Sequence, residues 1–391
     1  MTPRTEPDRR GVVAAACGLL ACGLAGPAPA GDWTTFRGNA RLTGQASGML
    51  PEDPAVLWTF ESEDGFASTA AIEKDVVYAA SLDGRLRALR LATGKVLWTH
   101  DVGTEIKSSP AVRDGTVYFG DEDGVVHALS AADGRSLWTY TTGSAVSSSP
   151  NFSGEALLIG SQDNSLYSLD RRDGTLRWKL TTGSYVYATP AVVAGNDAVA
   201  ILAGCDGLLR SVRVRDGEEL ASVEVGGYVG ASPAVDGSVA FVGTFENQFV
   251  AVDLSAWAVL WRFEDPERKF PFYSSAAVAK DVVVVGGRDK KIHALDPLTG
   301  KPLWEYMSKA RVDSSPVILG PRVFVGTMAG EILALDLHTG KVRWRFDTGS
   351  AVLASPSIAS DRLVIGTLDG VLYCFGAPPP APDVPPTSRT P

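Results

Sequence analysis

The run ALDPLTGKPLW at residues 294–304 recurs in close copies, as ALDLHTGKVRW at 334–344 and as ALRLATGKVLW at 88–98. Each copy links two short apolar or β-branched runs through a Thr-Gly turn and ends on tryptophan. Because glycine in such a turn accepts a positive φ, the pattern favours a tight hairpin between two antiparallel strands. The recurrence at a fixed spacing predicts a repeat architecture.

The tryptophans set the repeat length, because they are separated by steps of 40, 40, 40, 83, 43 and 40 residues. The long step spans two repeats: residues 216–221 align with 173–178 and place Ala221 where a tryptophan is expected. A second marker of the SSPAV type starts at eight positions: 68, 108, 148, 188, 231, 274, 314 and 354. The chain therefore contains eight repeats.

One tryptophan per repeat at a constant place indicates a packing role rather than a ligand-stacking role. We expect these side chains to wedge between neighbouring repeats, and Ala221 to mark a weaker seam, since loss of a buried tryptophan side chain costs about 3–5 kcal/mol. The predicted wedges are Trp58, Trp98, Trp138, Trp178, Trp261, Trp304 and Trp344.

Each repeat reads as four short strands, here named A to D, separated by Asp-Gly or Thr-Gly turns. The B strands, such as residues 282–285, are apolar throughout, which suits a sheet covered on both faces by neighbouring sheets. The sequence thus predicts an all-β, eight-bladed β-propeller of four-stranded antiparallel blades.

The ends of the repeat array predict how the ring closes. VLWTF at 56–60 precedes any A strand, while the last repeat stops after its C strand, VLYCF at 371–375. We expect the N-terminal run to form strand D of the last blade, which removes two open sheet edges. Cys205 and Cys374 then fall in opposite blades, too far apart for a disulfide.

Composition excludes several classes of protein. With 391 residues, 45 % hydrophobic and 21 % charged, the chain is too apolar for disorder and too charged for a polytopic membrane protein. The net charge of -9 would repel a nucleic-acid backbone, so we expect no nucleic-acid partner.

Residues 1–30 have the features of an export signal. Three arginines precede an apolar stretch at 11–26, and Ala28–Ala30 offers the small residues that a signal peptidase reads. Leu19–Cys22 also resembles a bacterial lipobox, which would acylate Cys22; simple cleavage after Ala30 is the alternative. The predicted location is the periplasm or outer membrane, with membrane contact only through the lipid anchor.

The remaining boundaries follow from the repeat. We predict an N-terminal extension at 31–55, a propeller at 56–376 and a disordered tail at 377–391, which has seven prolines in fifteen residues. A closed ring of this kind is expected to be monomeric.

The tryptophan-ended run resembles the docking repeat of quinoprotein dehydrogenases and PQQ-like propellers, over residues 56–376. Within this group the chain is most similar to the BamB family, lipoprotein subunits of the outer-membrane β-barrel assembly machinery. WTTFRGN at 33–39 is similar to a segment that precedes the propeller in PQQ-like proteins. The resemblance implies a non-enzymatic envelope scaffold that binds a partner protein, such as a β-barrel assembly component.

Two other functions stay open at this point. A PQQ-dependent oxidoreductase would resemble the chain in its repeat, but that family adds long insertions, an adjacent Cys-Cys pair, calcium ligands and a catalytic aspartate. Here no two cysteines are adjacent and the repeats are only 40 or 43 residues long, so we expect no catalytic residue, cofactor or metal. The second alternative is a ligand or glycan sensor.

Differences between the repeats predict the binding surface. Before each A strand stand three residues, of which the middle one is always apolar and its neighbours vary. Because side chains alternate along an extended chain, the variable neighbours should point away from the packing, at one mouth of the central channel. Exposed tyrosine and arginine are typical of binding hot spots. The predicted partner or ligand site is Glu105, Lys107, Tyr185, Tyr187, Tyr228, Arg268, Lys269, Phe270, Tyr273, Arg311 and Asp313, the longest connection being 264–273.

Overall fold

The computed structural model describes residues 31–378. Eight antiparallel sheets follow one another around an axis, and the A strand of blade 8 adjoins that of blade 1. The predicted eight-bladed propeller is confirmed. The export signal, Cys22 and nearly all of the proline-rich tail lie outside the described residues. Within 31–378, no helix has the length and apolar character needed to cross a membrane.

The blades are numbered in chain order, with strand A innermost and strand D at the rim. Their strands are, in blade 1, Ala71–Glu73, Val76–Ala80, Arg85–Arg90 and Val96–Asp101; in blade 2, Ala111–Arg113, Thr116–Gly120, Val125–Ser130 and Ser136–Thr141; in blade 3, Asn151–Ser153, Ala156–Ser161, Ser165–Asp170 and Leu176–Thr181; in blade 4, Ala191–Val193, Val199–Ala203, Leu208–Arg213 and Glu219–Glu224. They continue, in blade 5, with Ala234–Asp236, Val239–Gly243, Phe249–Asp253 and Ala258–Phe263; in blade 6, with Ala277–Ala279, Val282–Gly286, Lys291–Leu295 and Pro302–Met307; in blade 7, with Val317–Leu319, Arg322–Gly326, Glu331–Asp336 and Val342–Asp347; and in blade 8, with Ser357–Ala359, Arg362–Gly366, Val371–Gly376 and Ala55–Glu61.

Blade 8 joins the two ends of the repeat array, as predicted. Its D strand comes from the N-terminal side and pairs antiparallel with the C strand, Thr59 opposite Tyr373 and Trp58 opposite Cys374. Cys205 and Cys374 are both buried free thiols, in blades 4 and 8.

The repeated tryptophans lie at the seams between blades. Trp138 of blade 2 donates from Nε1 to the carbonyl oxygen of Arg171 in blade 3, at 3.1 Å. Its ring covers Gly174, where φ is +75° and a methyl group would lie 2.6 Å from Cε3 of the indole. The seam therefore requires glycine at this turn for both conformation and space. The same Nε1 bond to the next blade is made by Trp58, Trp98, Trp178, Trp261 and Trp304.

At the seam between blades 4 and 5, the tryptophan and the small residue exchange blades. Ala221 occupies the tryptophan position, and Trp257 occupies the turn position that is Gly300 in blade 6. Trp257 has a φ of 50° and packs against the apolar cluster that blades 4 and 5 share. The expectation of a weaker seam at Ala221 considered only the tryptophan position of blade 4. An indole is present at this seam, because the adjacent blade 5 supplies Trp257.

Residues 33–46, here called the strap, cross the end of the ring formed by the A–B turns. Trp33 forms two backbone hydrogen bonds with Ile72 of blade 1, each 2.8 Å, and Gln45–Ala46 adds a parallel strand to Val317–Leu319 of blade 7. Between them, strap carbonyls accept bonds from the A strands of four further blades, at Val112, Val192, Val235 and Val278. The predicted extension thus closes one end of the channel.

Arg37 anchors the strap from within. Its side chain is fully buried and donates to the carbonyl oxygens of Ala276 at 2.9 Å, Ser315 at 3.2 Å and Pro316. Burial lowers the pKa of this guanidinium to about 9. The adjacent Phe36 lines the floor of the channel.

Candidate functional site

The open end of the channel, here called the mouth, is formed by the D–A connections and the B–C turns. In each blade a B–C turn N–H holds the D–A connection; Cys205 donates to the Tyr185 carbonyl at 3.0 Å, and Phe245 to that of Tyr228 at 2.8 Å. The middle residue of every connection is buried, with at most 1 % of its surface exposed: Phe66, Ile106, Val146, Val186, Val229, Phe272, Val312 and Val352. The variable residues on either side of it are left at the mouth.

A ring of hydroxyl groups lies below the mouth. Ser109 N donates to Ser149 Oγ, and Ser149 N donates to Thr189 Oγ1, each at 3.0 Å. Comparable bonds link successive blades around the channel, which explains why every repeat has serine or threonine at this position. The ring consists of Thr69, Ser109, Ser149, Thr189, Ser232, Ser275, Ser315 and Ser355, all lining one cavity.

That cavity, here called the channel cavity, has a volume of about 640 Å³. Phe36 of the strap forms its floor, so it opens only toward the mouth. Its wall changes character around the ring: Lys107, Glu122 and Gln162 supply polar groups from blades 2 and 3, while Tyr187 and Tyr273 supply aromatic surface from blades 4 and 6.

A second cavity of about 660 Å³, here called the aromatic cavity, lies over blades 4 to 6. The rings of Tyr185 and Tyr187 meet edge to face with centroids 5.9 Å apart, and those of Phe245 and Tyr273 do so at 5.8 Å. Edge-to-face pairs fix ring orientation and leave ring faces free for a ligand. The complete lining is Ser184, Tyr185, Tyr187, Cys205, Tyr228, Gly230, Phe245 and Tyr273, of which Tyr187, Gly230 and Tyr273 also line the channel cavity. The two cavities are therefore contiguous.

Arg288 supports the aromatic wall from behind. Its guanidinium carbon lies 4.5 Å from the Tyr273 ring centroid and 5.8 Å from that of Phe245, within cation–π distance. The same guanidinium binds Asp313 Oδ1 at 2.9 Å, and Arg311 binds Asp313 Oδ2 at 3.0 Å. These charges are paired with each other.

The polar wall is a hydrogen-bonded network. Lys107 Nζ lies 2.8 Å from Glu105 Oε2 and 3.0 Å from Glu122 Oε2. Ser147 donates to Glu122 at 2.6 Å and accepts from Gln162 Nε2 at 3.0 Å. Although burial opposes the charge, the bonds to Glu105 and Glu122 raise the pKa of Lys107. The network positions its polar groups before any ligand arrives.

Three titratable groups of the aromatic cavity, Cys205, Tyr187 and Tyr273, have raised pKa values. Burial raises the pKa of the Cys205 thiol to about 11, so this cysteine is not a reactive thiolate. Burial likewise raises the pKa values of Tyr187 and Tyr273. The aromatic side of the mouth can therefore offer ring faces and neutral hydroxyl groups.

The structure places the predicted site residues in three groups. Tyr185, Tyr187, Tyr228 and Tyr273 converge on the aromatic cavity, whereas Lys107 and Asp313 lie in the wall of the channel cavity. Glu105 and Arg311 pair with these charges instead of lining either cavity. Arg268, Lys269 and Phe270 follow the long connection away from both cavities, with Phe270 48 % exposed.

Sequence reasoning missed the contribution of the B–C turns. Phe245 and Cys205 help to line the aromatic cavity, and Glu122 and Gln162 the channel cavity. The signal was present, because the second turn residue takes seven different types in the eight blades: Leu82, Glu122, Gln162, Cys205, Phe245, Arg288, Met328 and Leu368. Comparing this position between repeats would have identified it.

One cluster near the long connection has the residue types of a metal site. Asp265, His293 and Glu305 place one ligand atom each within 4.8 Å of one another. However, the ammonium of Lys291 lies 2.6 Å from Asp265 Oδ2 and 2.9 Å from Glu305 Oε2. A cation is thus already provided by the chain, and we interpret the cluster as the anchor of the long connection.

Comparison with known proteins agrees with this architecture. The family model described as outer membrane protein assembly factor BamB matches residues 44–204, 187–317 and 308–377. The chain belongs to the BamB family. No curated protein matches it.

Solved structures share the fold at low sequence identity. BamB from Moraxella catarrhalis superposes with a TM-score of 0.70 at 18 % identity, covering 83 % of this chain and 100 % of that one. The quinohemoprotein alcohol dehydrogenase from Comamonas testosteroni superposes at 0.79 with 14 % identity, covering 91 % and 82 %. A computationally designed protein, Ika8, gives 0.71 at 19 % identity, covering 84 % and 100 %. These similarities establish the fold of this BamB-family chain, but they do not determine its role.

The mouth residues do not fit the quinone cofactor that the structural similarity to dehydrogenases would suggest. That group carries carboxylates, yet Arg288 and Arg311 at the mouth are both paired with Asp313, and Lys107 with Glu105 and Glu122. Cys205 has no adjacent cysteine in the sequence.

Proposed function

We propose that the protein is a non-enzymatic scaffold of the bacterial envelope that binds a partner protein through the mouth face, in the manner of BamB. Membership of the BamB family supports a role in outer-membrane protein assembly, with a β-barrel assembly component as the partner. The observation that carries the proposal is the exposed aromatic surface over blades 4 to 6.

That surface has the composition of a protein-binding hot spot. Tyr228 is 65 % exposed, Tyr185 48 % and Phe270 48 %, all on the mouth face. Tyrosine and arginine are enriched among the residues that dominate binding energy. The long connection 264–273 extends the surface outward, held at its base by the Asp265–Lys291 pair.

The proposal includes a location and a chain organisation. Residues 1–30 direct export, either with cleavage after Ala30 or with acylation of Cys22. The extension at 31–55, the propeller at 56–376 and the proline-rich tail at 377–391 then form the exported protein, as a monomer. Because Gly31 lies beside the strap, at the closed end, a lipid anchor would leave the mouth free for the partner.

Site-specific photo-crosslinking tests the proposal. A crosslinking amino acid at Phe270 should capture a β-barrel assembly component in living cells. The matched control is Leu298, which is 81 % exposed in the C–D turn of the same blade, on the opposite face. Equal capture from both positions, or capture from neither, would contradict a partner site at the mouth.

A further inference from the structure

We infer that the joined channel and aromatic cavities form a binding site for a neutral di- or trisaccharide. This inference goes beyond partner binding, because the cavities lie inside the mouth while the proposed partner surface lies on its rim. The two cavities, about 640 and 660 Å³, are each within the usual size range of small-molecule sites.

The walls match the two kinds of surface that a sugar ring presents. A pyranose has an apolar C–H face, which packs on aromatic rings, and a polar edge of hydroxyl groups. Tyr187 and Tyr273, shared by both cavities, provide the aromatic faces. Glu122 and Gln162, from blades 2 and 3, provide a carboxylate acceptor and an amide that can both donate and accept.

The hydroxyl ring adds further hydrogen-bonding groups. Each ring oxygen that accepts a backbone N–H, as Ser149 Oγ does from Ser109, retains its own O–H as a donor. These groups face a cavity whose far end is closed by Phe36. A polyhydroxylated ligand can satisfy such groups, whereas a purely apolar one would leave them unpaired at a cost in affinity.

Charge balance indicates that the ligand is neutral. The basic groups in or behind the cavity walls each have an acidic partner: Lys107 pairs with Glu105 and Glu122, and Arg288 with Asp313. An anionic ligand would have to break one of these pairs, since the cations in or behind the two cavity walls are held by these carboxylates. Tyrosine hydroxyl groups and the neutral Cys205 thiol complete the lining.

Isothermal titration of the purified exported protein tests the inference with two probes, maltotriose and triacetylchitotriose. We expect at least one probe to bind with 1:1 stoichiometry. Tyr187→Ala should weaken that binding at least about tenfold, and Gln162→Ala about tenfold, through loss of an aromatic face and of a hydrogen-bonding partner respectively. Tyr228→Ala, at an exposed position with little risk to folding, should also weaken it.

Met328→Ala is the matched control, because Met328 occupies the equivalent B–C turn position in blade 7 and lines neither cavity. This variant should bind as the unmodified protein does. The inference is overturned if neither trisaccharide binds at concentrations up to about 10 mM, or if Tyr187→Ala and Tyr228→Ala leave binding unchanged. Crosslinking from Phe270 would be unaffected by either result, so the partner proposal is judged separately.

Discussion

Blades 1 to 3 repeat one another closely, whereas blades 4 to 6 contain the main departures from the repeat. The marker spacing rises from 40 to 43 residues in the repeats that start at 188 and 231, and one seam replaces its tryptophan and glycine with Ala221 and Trp257. The long connection at 264–273 and the aromatic cavity occur on the same side.

The comparison separates the residues that hold the ring together from those available for recognition. On the regular side, each seam has an indole over a glycine with a positive φ, as in Trp138 over Gly174. On the irregular side the seam still contains one indole, although the other blade supplies it. Variation is thus tolerated where packing volume is kept, and it accumulates beside the cavity.

The largest effect is expected at a regular seam. Trp138→Ala removes an indole, its Nε1 bond to Arg171 and its contact with Gly174, and should lower the free energy of unfolding by about 3–5 kcal/mol. Urea denaturation followed by circular dichroism measures the change. Leu137→Ala is the control, because Leu137 is 43 % exposed on the same strand and should change stability far less. Equal losses would contradict the wedge role.

The exchanged seam should show strong coupling between its two positions. Trp257→Gly removes the only indole of this seam, and Ala221→Trp adds a second one, so each single change should cost about 1–3 kcal/mol. The double variant recreates a regular seam and should lie within about 1 kcal/mol of the unmodified protein. The exchange is refuted if urea denaturation shows that the double variant loses as much unfolding free energy as the two single variants added together.

A smaller loss is expected at the strap. Arg37→Met deprives the carbonyls of Ala276, Ser315 and Pro316 of their donor and should cost about 1–3 kcal/mol. Thermal unfolding compares it with Arg41→Met, at an exposed position of the same segment. If both variants melt together, Arg37 does not anchor the strap.

The smallest effect is a pH dependence at the anchor of the long connection. The imidazole of His293, whose Nδ1 lies 3.3 Å from Glu305 Oε1, lowers the pKa of Glu305 to about 2, against a usual 4.5. A depressed carboxyl pKa contributes stability above the usual value, which is lost as the pH falls toward 2. The stability difference between the unmodified protein and Glu305→Gln should therefore shrink between pH 5 and pH 2, by thermal melting.

The neighbouring His293 adds a pH dependence of its own. Burial opposes the charge on His293, but the nearby carboxylates of Asp289 and Glu305 raise its pKa above 6.5. Its contribution to stability is therefore complete below that value and declines as the pH rises through the raised pKa. Glu267→Gln, at an exposed position, serves as the control and should leave the pH profile unchanged. A Glu305→Gln difference that is constant with pH would contradict the role of this carboxylate.

The repeat made the fold predictable from sequence. Eight copies of the tryptophan and SSPAV markers determined the blade number, and the unpaired VLWTF and VLYCF runs determined how the ring closes. The tyrosine positions followed from comparing repeats, since residues that are alike in every blade serve packing. The strap contacts were missed, because they join segments up to about 280 positions apart in the chain and no local pattern encodes them. The B–C turn residues were missed although the same comparison between repeats would have identified them.

The Trp257 exchange was missed for a different reason. Each half of it looks like a defect when read alone, and only the juxtaposition of two blades shows that they compensate. The residues of the long connection, Arg268 to Phe270, illustrate a further limit: composition indicated an exposed loop, but its direction depends on the buried Asp265–Lys291 pair.

The central claim is that the aromatic side of the mouth recognises the partner. Its most direct test is the affinity of the triple variant Tyr185→Ala, Tyr228→Ala and Phe270→Ala, which removes the exposed rings of the partner surface, for the protein captured from Phe270, measured alongside its melting temperature. We predict binding at least about 30-fold weaker, with the fold intact. An unchanged affinity in a folded triple variant would contradict the claim.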